Sequence, residues 1–169
     1  KKAFSNTIHI WLFNFVPQIG LALLLTAWFT DKRYHIRGEG LFKVLFYMPN
    51  IITAATIAIL FNALLGYPMG PVNDIFMRLG ISKEPINFLV DKSVARGTVE
   101  FIQFWMWYGY TMIILISGVM GINPELFESA EVDGANRIQT FFYITIPNLK
   151  TILLFTLVTS LIGGLQMFD

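Results

Sequence analysis

The sequence predicts an all-α fold, a polytopic membrane helical bundle of four apolar segments. Three observations predict it. Hydrophobic residues make up 55% of the 169 residues and charged residues only 14%, with a mean hydropathy of +0.61. A soluble domain carries about 25% charged residues, so this chain cannot cover a globule with polar side chains. Apolar residues also fall into runs of about 20 or more, the length a helix needs to cross a bilayer. Finally, hydrophilic stretches rich in Gly, Pro and charge separate those runs. Twelve Lys+Arg against eleven Asp+Glu exclude a nucleic-acid binder working through bulk charge. The hydrophobicity excludes a disordered chain. The lack of Cys excludes a disulfide scaffold, an iron–sulfur protein and a thiolate zinc site.

The first segment, about 4–29, follows Lys1 and Lys2. It is too long for a signal peptide and ends in charge. Asn6, Asn14, Pro17 and Gln18 interrupt it, and Pro17 predicts a kink that neighbouring helices must support. A hydrophilic loop, Thr30 to Gly40, leads to the second segment, about 41–65, which contains Pro49, Asn50 and Asn62. Gly66 to Gly97 is a loop with a short helix expected near Val72–Leu79. The third segment, about 98–120, is aromatic-rich, and 121–148 forms the most polar long stretch. The fourth, starting near Leu149, is still an apolar run when the chain ends at Asp169, so the chain reads as a piece of a longer protein.

Lys/Arg density near span ends sets orientation. Lys32, Arg33, Arg37, Lys43, Arg137 and Lys150 lie on one side; Lys1, Lys2, Arg78, Lys83, Lys92 and Arg96 lie on the other. This is a tie, with the denser cluster in the first loop favouring a cytoplasmic place for it.

The polar stretch 121–148 reads as two short helices around a turn. Asn123 suits an N-cap, Pro124 the first helical position, and Glu125 and Glu128 the positive end of the helix dipole. Gly134 can take positive φ and end the helix. Ile138, Phe141, Phe142 and Thr145 should share a face, with Pro147 stopping the second helix. Such an element can lie in the lipid interface, cap the bundle or dock a protein partner. Carboxylates around the turn, in place of the Lys/Arg of a lipid binder, favour a partner.

Glu128-Ser129-Ala130, then Asp133-Gly134-Ala135, then Ile144-Thr145-Ile146-Pro147 resembles the EAA loop of binding-protein-dependent ABC transporter permeases. Ser129 stands where the family has Ala, and Ile146 where it has Leu. Asn6-Thr7, Arg37-Gly38 with Phe42-Lys43 and Pro49, and Gly163 to Asp169 extend the likeness to maltose-permease-type subunits. The resemblance implies an ABC importer type I permease core, with the four segments as spans two to five of six. It places the EAA loop in the cytoplasm and Gly66–Gly97 outside. It further implies that Glu128, Ser129, Ala130, Asp133, Gly134, Ala135 and Pro147 couple the spans to a partner ATPase, the charged groups through charge-assisted hydrogen bonds. ATP and magnesium would bind that partner, with no cofactor in this chain.

By the same resemblance, Gln103, Met106, Trp107 and Tyr110 fall on positions that line the sugar site. So do Ser160, Gly163, Gly164 and Met167. The residues themselves suit this, because a sugar site needs hydrogen-bonding groups beside flat apolar faces. Gln103, Trp107, Tyr110 and Ile114 recur at helical spacing on one face. Packing or an interfacial belt is an equal reading for Trp107 and Tyr108, and close packing for Gly163-Gly164.

There is no G-x-x-x-x-G-K-[ST] phosphate loop, and His9 and His35 stand isolated in the sequence, without metal-ligand spacing. The expected function is therefore that of a non-enzymatic permease subunit of a bacterial sugar or oligosaccharide importer in the cytoplasmic membrane. Its expected partners are a second permease subunit, two ATPase subunits, an extracytoplasmic solute-binding protein, the sugar and the lipid bilayer. The alternatives are an importer of another solute such as glycerol phosphate, or a non-transporting membrane scaffold. A phosphate ester would favour Arg or Lys within the spans.

Overall fold

The computed structural model describes residues 2–31 and 37–166. Among them are α1 (Lys2–Thr30), α2 (Glu39–Ile51), α3 (Ala54–Leu64), α4 (Pro71–Arg78) and α5 (Lys92–Met120). They are followed by α6 (Pro124–Val132), α7 (Arg137–Thr140), a π-helical turn (Phe141–Thr145), α8 (Ile146–Asn148) and α9 (Lys150–Gln166). Two of these helices are each long and apolar enough to cross a membrane, over Phe4–Thr30 and Val94–Met120. Two bent pairs also qualify: α2 with α3, and Arg137–Asn148 with α9.

The long helices α1 and α5 pack along each other. Their core joins Ala22 and Phe29 of α1 to Met112, Leu115, Ile116 and Val119 of α5, with Ile122 and Leu149 closing it. In lipid such helices associate by close van der Waals packing and interhelical hydrogen bonds. Buried Thr26 supplies one, its hydroxyl donating to the Met112 carbonyl at 3.4 Å. On its other side α5 meets α2 at Gly109, where any Cβ would collide with the Phe46 backbone.

Several expectations need correction. The second segment is not one helix: α2 and α3 meet at 95°. Ile52 and Thr53 are extended, and the Thr53 hydroxyl accepts the Thr56 N–H at 3.3 Å, starting a new helix. The β-branched run Ile51-Ile52-Thr53 suits that break. α1, which also holds a proline, stays helical on both sides of Pro17. The third segment begins at Lys92 rather than near Thr98.

Nor does Pro147 stop its helix. The π turn shifts the hydrogen-bond ladder, with Ile146 N–H reaching the Phe141 carbonyl, so the chain passes Pro147 and bends 65° only at Leu149. A wider turn is one way to accommodate the missing proline donor. It also separates the residues expected on one face: Thr145 is buried, whereas Ile138 and Phe142 are exposed.

His9 is not isolated in space. Its Nδ1 lies 3.3 Å from Glu100 Oε1, close enough for an ion pair but without hydrogen-bond alignment. One turn away Arg96 donates to Asn6 Oδ1 at 3.0 Å. These contacts tie α1 to α5 at one end of the bundle. His35 lies outside the described residues.

The expected short helix in the 66–97 loop is α4. Buried Asn73 anchors it, donating to the Gly66 and Ile86 carbonyls and accepting the Ile86 N–H at 2.8 Å.

Candidate functional site

A cavity of about 440 Å³ opens between α1, α5 and α9. That volume lies within the range of small-ligand sites. From α5 come Gln103, Met106, Trp107, Tyr110 and Thr111. From α9 come Thr156, Thr159, Ser160, Gly163, Gly164 and Gln166. The α1 wall carries Thr7, Ile10, Trp11, Asn14 and Gln18. Thr7, Trp11, Asn14 and Gln18 follow helical spacing, so one face of α1 presents them together.

Every residue expected at a substrate site and described in the structure therefore falls on this one cavity. Met167 lies outside the described residues. Ile114, on the same predicted stripe, is not part of the lining. Trp107 and Tyr110 meet edge to face, their ring centroids 5.7 Å apart, and both remain partly exposed. Trp105 turns away to pack on Phe61. Phe104 and Tyr108 stack on each other, and Tyr108 meets Phe46 of α2, so that stripe serves packing.

Two long-range hydrogen bonds shape the walls. Gln18 Nε2 donates to Thr111 Oγ1 at 2.7 Å, and Trp11 Nε1 donates to Ser160 Oγ at 3.1 Å. Gly164 makes room for the Trp11 ring, since a Cβ there would stand 2.7 Å from its Cδ1; a Cβ at Gly163 would meet open space. No Asp, Glu, Lys, Arg or His lines the cavity among the described residues.

The α1 wall was missed from the sequence. Asn14 and Gln18 stood out there only as polar breaks in an apolar run. A signal existed, since amides within a spanning helix are costly unless paired. Their partners lie too far along the chain to be inferred from it.

The second candidate region is the elbow 121–148. The Asn123 side chain caps α6 by accepting the Glu125 N–H at 3.1 Å, and Pro124 takes the first helical position. Gly134 has φ 75°, a left-handed conformation that costs glycine little. It completes a Schellman ending: Ala135 N–H reaches the Ala130 carbonyl, and Gly134 N–H the Glu131 carbonyl. A capping box unrecognised in the sequence then starts α7. Asn136 Oδ1 accepts Gln139 N–H at 2.9 Å, and Gln139 Oε1 accepts Asn136 N–H at 2.8 Å. The Asn136-x-x-Gln139 spacing was its signal.

α6 turns Ala130 inward, and Phe127 packs against the core. Glu128, Ser129, Asp133, Gly134 and Pro147 are exposed, and Ala135 half-buried. The Ser129 hydroxyl bonds to the Leu126 carbonyl at 3.2 Å, which explains how Ser can replace Ala there. Around the carboxylates stand exposed apolar side chains, Val132 at 88%, Ile138 at 70% and Tyr143 at 79% exposure. Arg137 Nε pairs with Asp31 at 3.2 Å, linking the elbow to the end of α1.

A family model described as the binding-protein-dependent transport system inner membrane component matches residues 7–169. The chain belongs to that family. This inner membrane component is 33% identical over 168 residues to the lactose transport system permease protein LacF of Rhizobium radiobacter. That match covers 99% of the chain and 55% of the relative. It is 28% identical to the arabinooligosaccharides transport system permease protein AraP of Bacillus subtilis, covering 99% of the chain and 52% of the relative. The osmoprotective compounds uptake permease protein GgtC of Synechocystis is 32% identical, with 99% and 60% covered. Among solved structures, a bacterial ABC transporter importing the acidic polysaccharide alginate aligns at TM-score 0.81 and 25% identity, covering 96% of this chain and 57% of that one. The chain thus spans about half the length of its curated relatives.

Proposed function

We propose that this chain is the core of a permease subunit of an ATP-driven bacterial importer for a neutral sugar or oligosaccharide. It acts in the cytoplasmic membrane with a second permease subunit, two ATPase subunits and an extracytoplasmic solute-binding protein. The observation that carries this reading is the cavity itself, whose described lining residues are uncharged. Seven positions assigned to sugar contact by resemblance, drawn from two distant helices, line it together. Amides and hydroxyls there can exchange hydrogen bonds with sugar hydroxyls, while the Trp107 and Tyr110 rings offer faces to pyranose C–H bonds. No Lys or Arg stands among the described lining residues, which argues against a phosphate ester.

The elbow serves as the lever. A motor subunit closing on ATP and magnesium grips it from the cytoplasm and swings the spans between inward-open and outward-open states. Exposed Val132, Ile138 and Tyr143 give the grip apolar area, and Glu128 and Asp133 give it charge. Asp133 sits at the C-cap of α6, the negative end of a helix dipole, where a carboxylate is disfavoured. A cationic group on the partner offsets that cost.

Isolation of the full-length protein from its host in detergent, with partner identification by mass, tests this function. An ATPase subunit and a solute-binding protein should copurify. Neutral oligosaccharides plus the binding protein should stimulate ATP hydrolysis. Absence of a copurifying ATPase, or stimulation by none of the sugars, would overturn the reading.

A further inference from the structure

Trp11 lines the cavity from α1, and its ring is held in place there. It stacks on buried Phe15, with centroids 5.2 Å apart and planes 14° from parallel. Its Cγ–Cδ1 edge lies against Gly164, where a Cβ would stand 2.7 Å from Cδ1. So fixed, the indole delivers its N–H to Ser160 Oγ at 3.1 Å. An indole nitrogen donates and never accepts, so the Ser160 oxygen is the acceptor and its own O–H points away from Trp11. Hydroxyls in helices commonly return that hydrogen to a carbonyl one turn back. The threonines of α5 and α9 at the cavity do so: Thr111 donates to the Trp107 carbonyl, Thr156 to Leu153 and Thr159 to Phe155. Ser160 makes no such bond among the described residues, although it is only partly buried and lines the same cavity.

We propose that Trp11 is a positioning residue for the transported neutral sugar, its indole N–H holding the Ser160 oxygen as an acceptor so that the Ser160 O–H donates to a sugar oxygen. This inference rests on the cavity being the sugar passage, and it adds a residue that the resemblance to known permeases does not assign. Without the indole, the Ser160 hydroxyl can turn back to the α9 backbone as its threonine neighbours do, and the sugar loses a donor. The same arrangement gives Gly164 a task one turn beyond Ser160. Any side chain there would displace the ring that orients the hydroxyl, so Gly164 is the seat of Trp11.

The test uses the full-length protein assembled with its copurified permease and ATPase partners, free of the binding protein so that only the cavity is read. Equilibrium dialysis against radiolabelled lactose, maltose and arabinobiose selects the sugar bound most tightly as the probe. Trp11→Phe keeps a ring against Phe15 and removes the N–H; Ser160→Ala removes the hydroxyl. Each should raise Kd about fivefold, the effect of one lost neutral hydrogen bond. The double variant should show the same loss of about fivefold, because the two residues act as one unit. A series of mono-deoxy analogues adds the decisive readout. One analogue should bind about fivefold more weakly than the parent sugar with the wild type, yet match it with Ser160→Ala and with Trp11→Phe. A merely structural role for Trp11 would not remove the penalty for one particular sugar oxygen. A double variant weakened about twenty-five-fold, the product of the singles, overturns the proposal, as does a raised Kd in Trp11→Phe with none in Ser160→Ala. Unchanged Kd in Trp11→Phe, with Gln103→Leu raising it, overturns the Trp11 role and leaves the cavity reading standing. Unchanged Kd in every variant overturns both, as does a wild type that binds none of the sugars. If Trp11→Phe and Trp11→Tyr both fail to assemble, the residue is structural and the proposal falls.

Discussion

The cavity and the elbow occupy the same chain but are built on opposite terms. The elbow is secured by bonds a few residues long: Asn123 to Glu125, Ala135 to Ala130, Asn136 to Gln139. Its acidic and apolar side chains face outward and are exposed. The cavity is secured by bonds between distant helices, Gln18 to Thr111 and Trp11 to Ser160, and its polar groups face inward. The difference teaches that a lever can be encoded locally, because only its own shape must be stiff. A membrane site must be encoded globally, because each polar group needs a partner from another helix.

The sharpest way to break this comparison is at the elbow's outer surface. Glu128→Lys reverses an exposed charge, and Gly134→Asp forces a side chain into φ 75°. Each should cost about 2 kcal/mol or more in docking to the ATPase, roughly thirtyfold in affinity. Sugar uptake in proteoliposomes should collapse for both, with the melting temperature of the purified permease unchanged for Glu128→Lys and lowered for Gly134→Asp by the left-handed backbone strain. Normal transport by these variants would remove the lever from the account.

A somewhat smaller effect is expected at the cavity. Gly164→Val places atoms against Trp11, whose ring must leave its bond to Ser160. Overpacking of this kind costs about 1–3 kcal/mol. A lower detergent melting temperature and a shifted tryptophan emission would register it, together with a raised KM for sugar. ATPase binding to the elbow should persist, which separates the two regions experimentally.

Local encoding of the elbow predicts a milder effect at its caps. Asn136→Ala should cost about 1 kcal/mol, confined to α7, and read as faster hydrogen exchange at the Gln139 amide. The smallest effect is expected at the link between elbow and bundle. Asp31→Asn removes a partly exposed pair with Arg137, worth at most about 1 kcal/mol. Thermal melting at low and high salt checks it, since screening should shrink the difference.

Much of the fold was legible because membrane helices announce themselves by length and apolarity. Phe4–Thr30 and Val94–Met120 needed nothing more. The elbow was legible from its turn chemistry, with Asn123, Pro124 and Gly134 each doing what its residue type favours. Two breaks were not. Ile52-Thr53 lacks the Gly or Pro that marks a sharp bend, and the π turn at 141–145 leaves no pattern in hydrophobic spacing. Pro49 and Pro147 drew attention, but the chain bends beyond each of them.

By itself the sequence determined the membrane-helical class, the turn of the elbow and the polar-aromatic stripe of α5, because each depends on apolar length, helical period or a residue's own backbone preference, whereas the α9 positions came only from the family resemblance. Only the tertiary structure decided that Trp11, Asn14 and Gln18 form the third wall and that His9 meets Glu100. Those facts arise where helices far apart in the chain come within hydrogen-bond reach. No periodicity along one helix specifies what its neighbour brings.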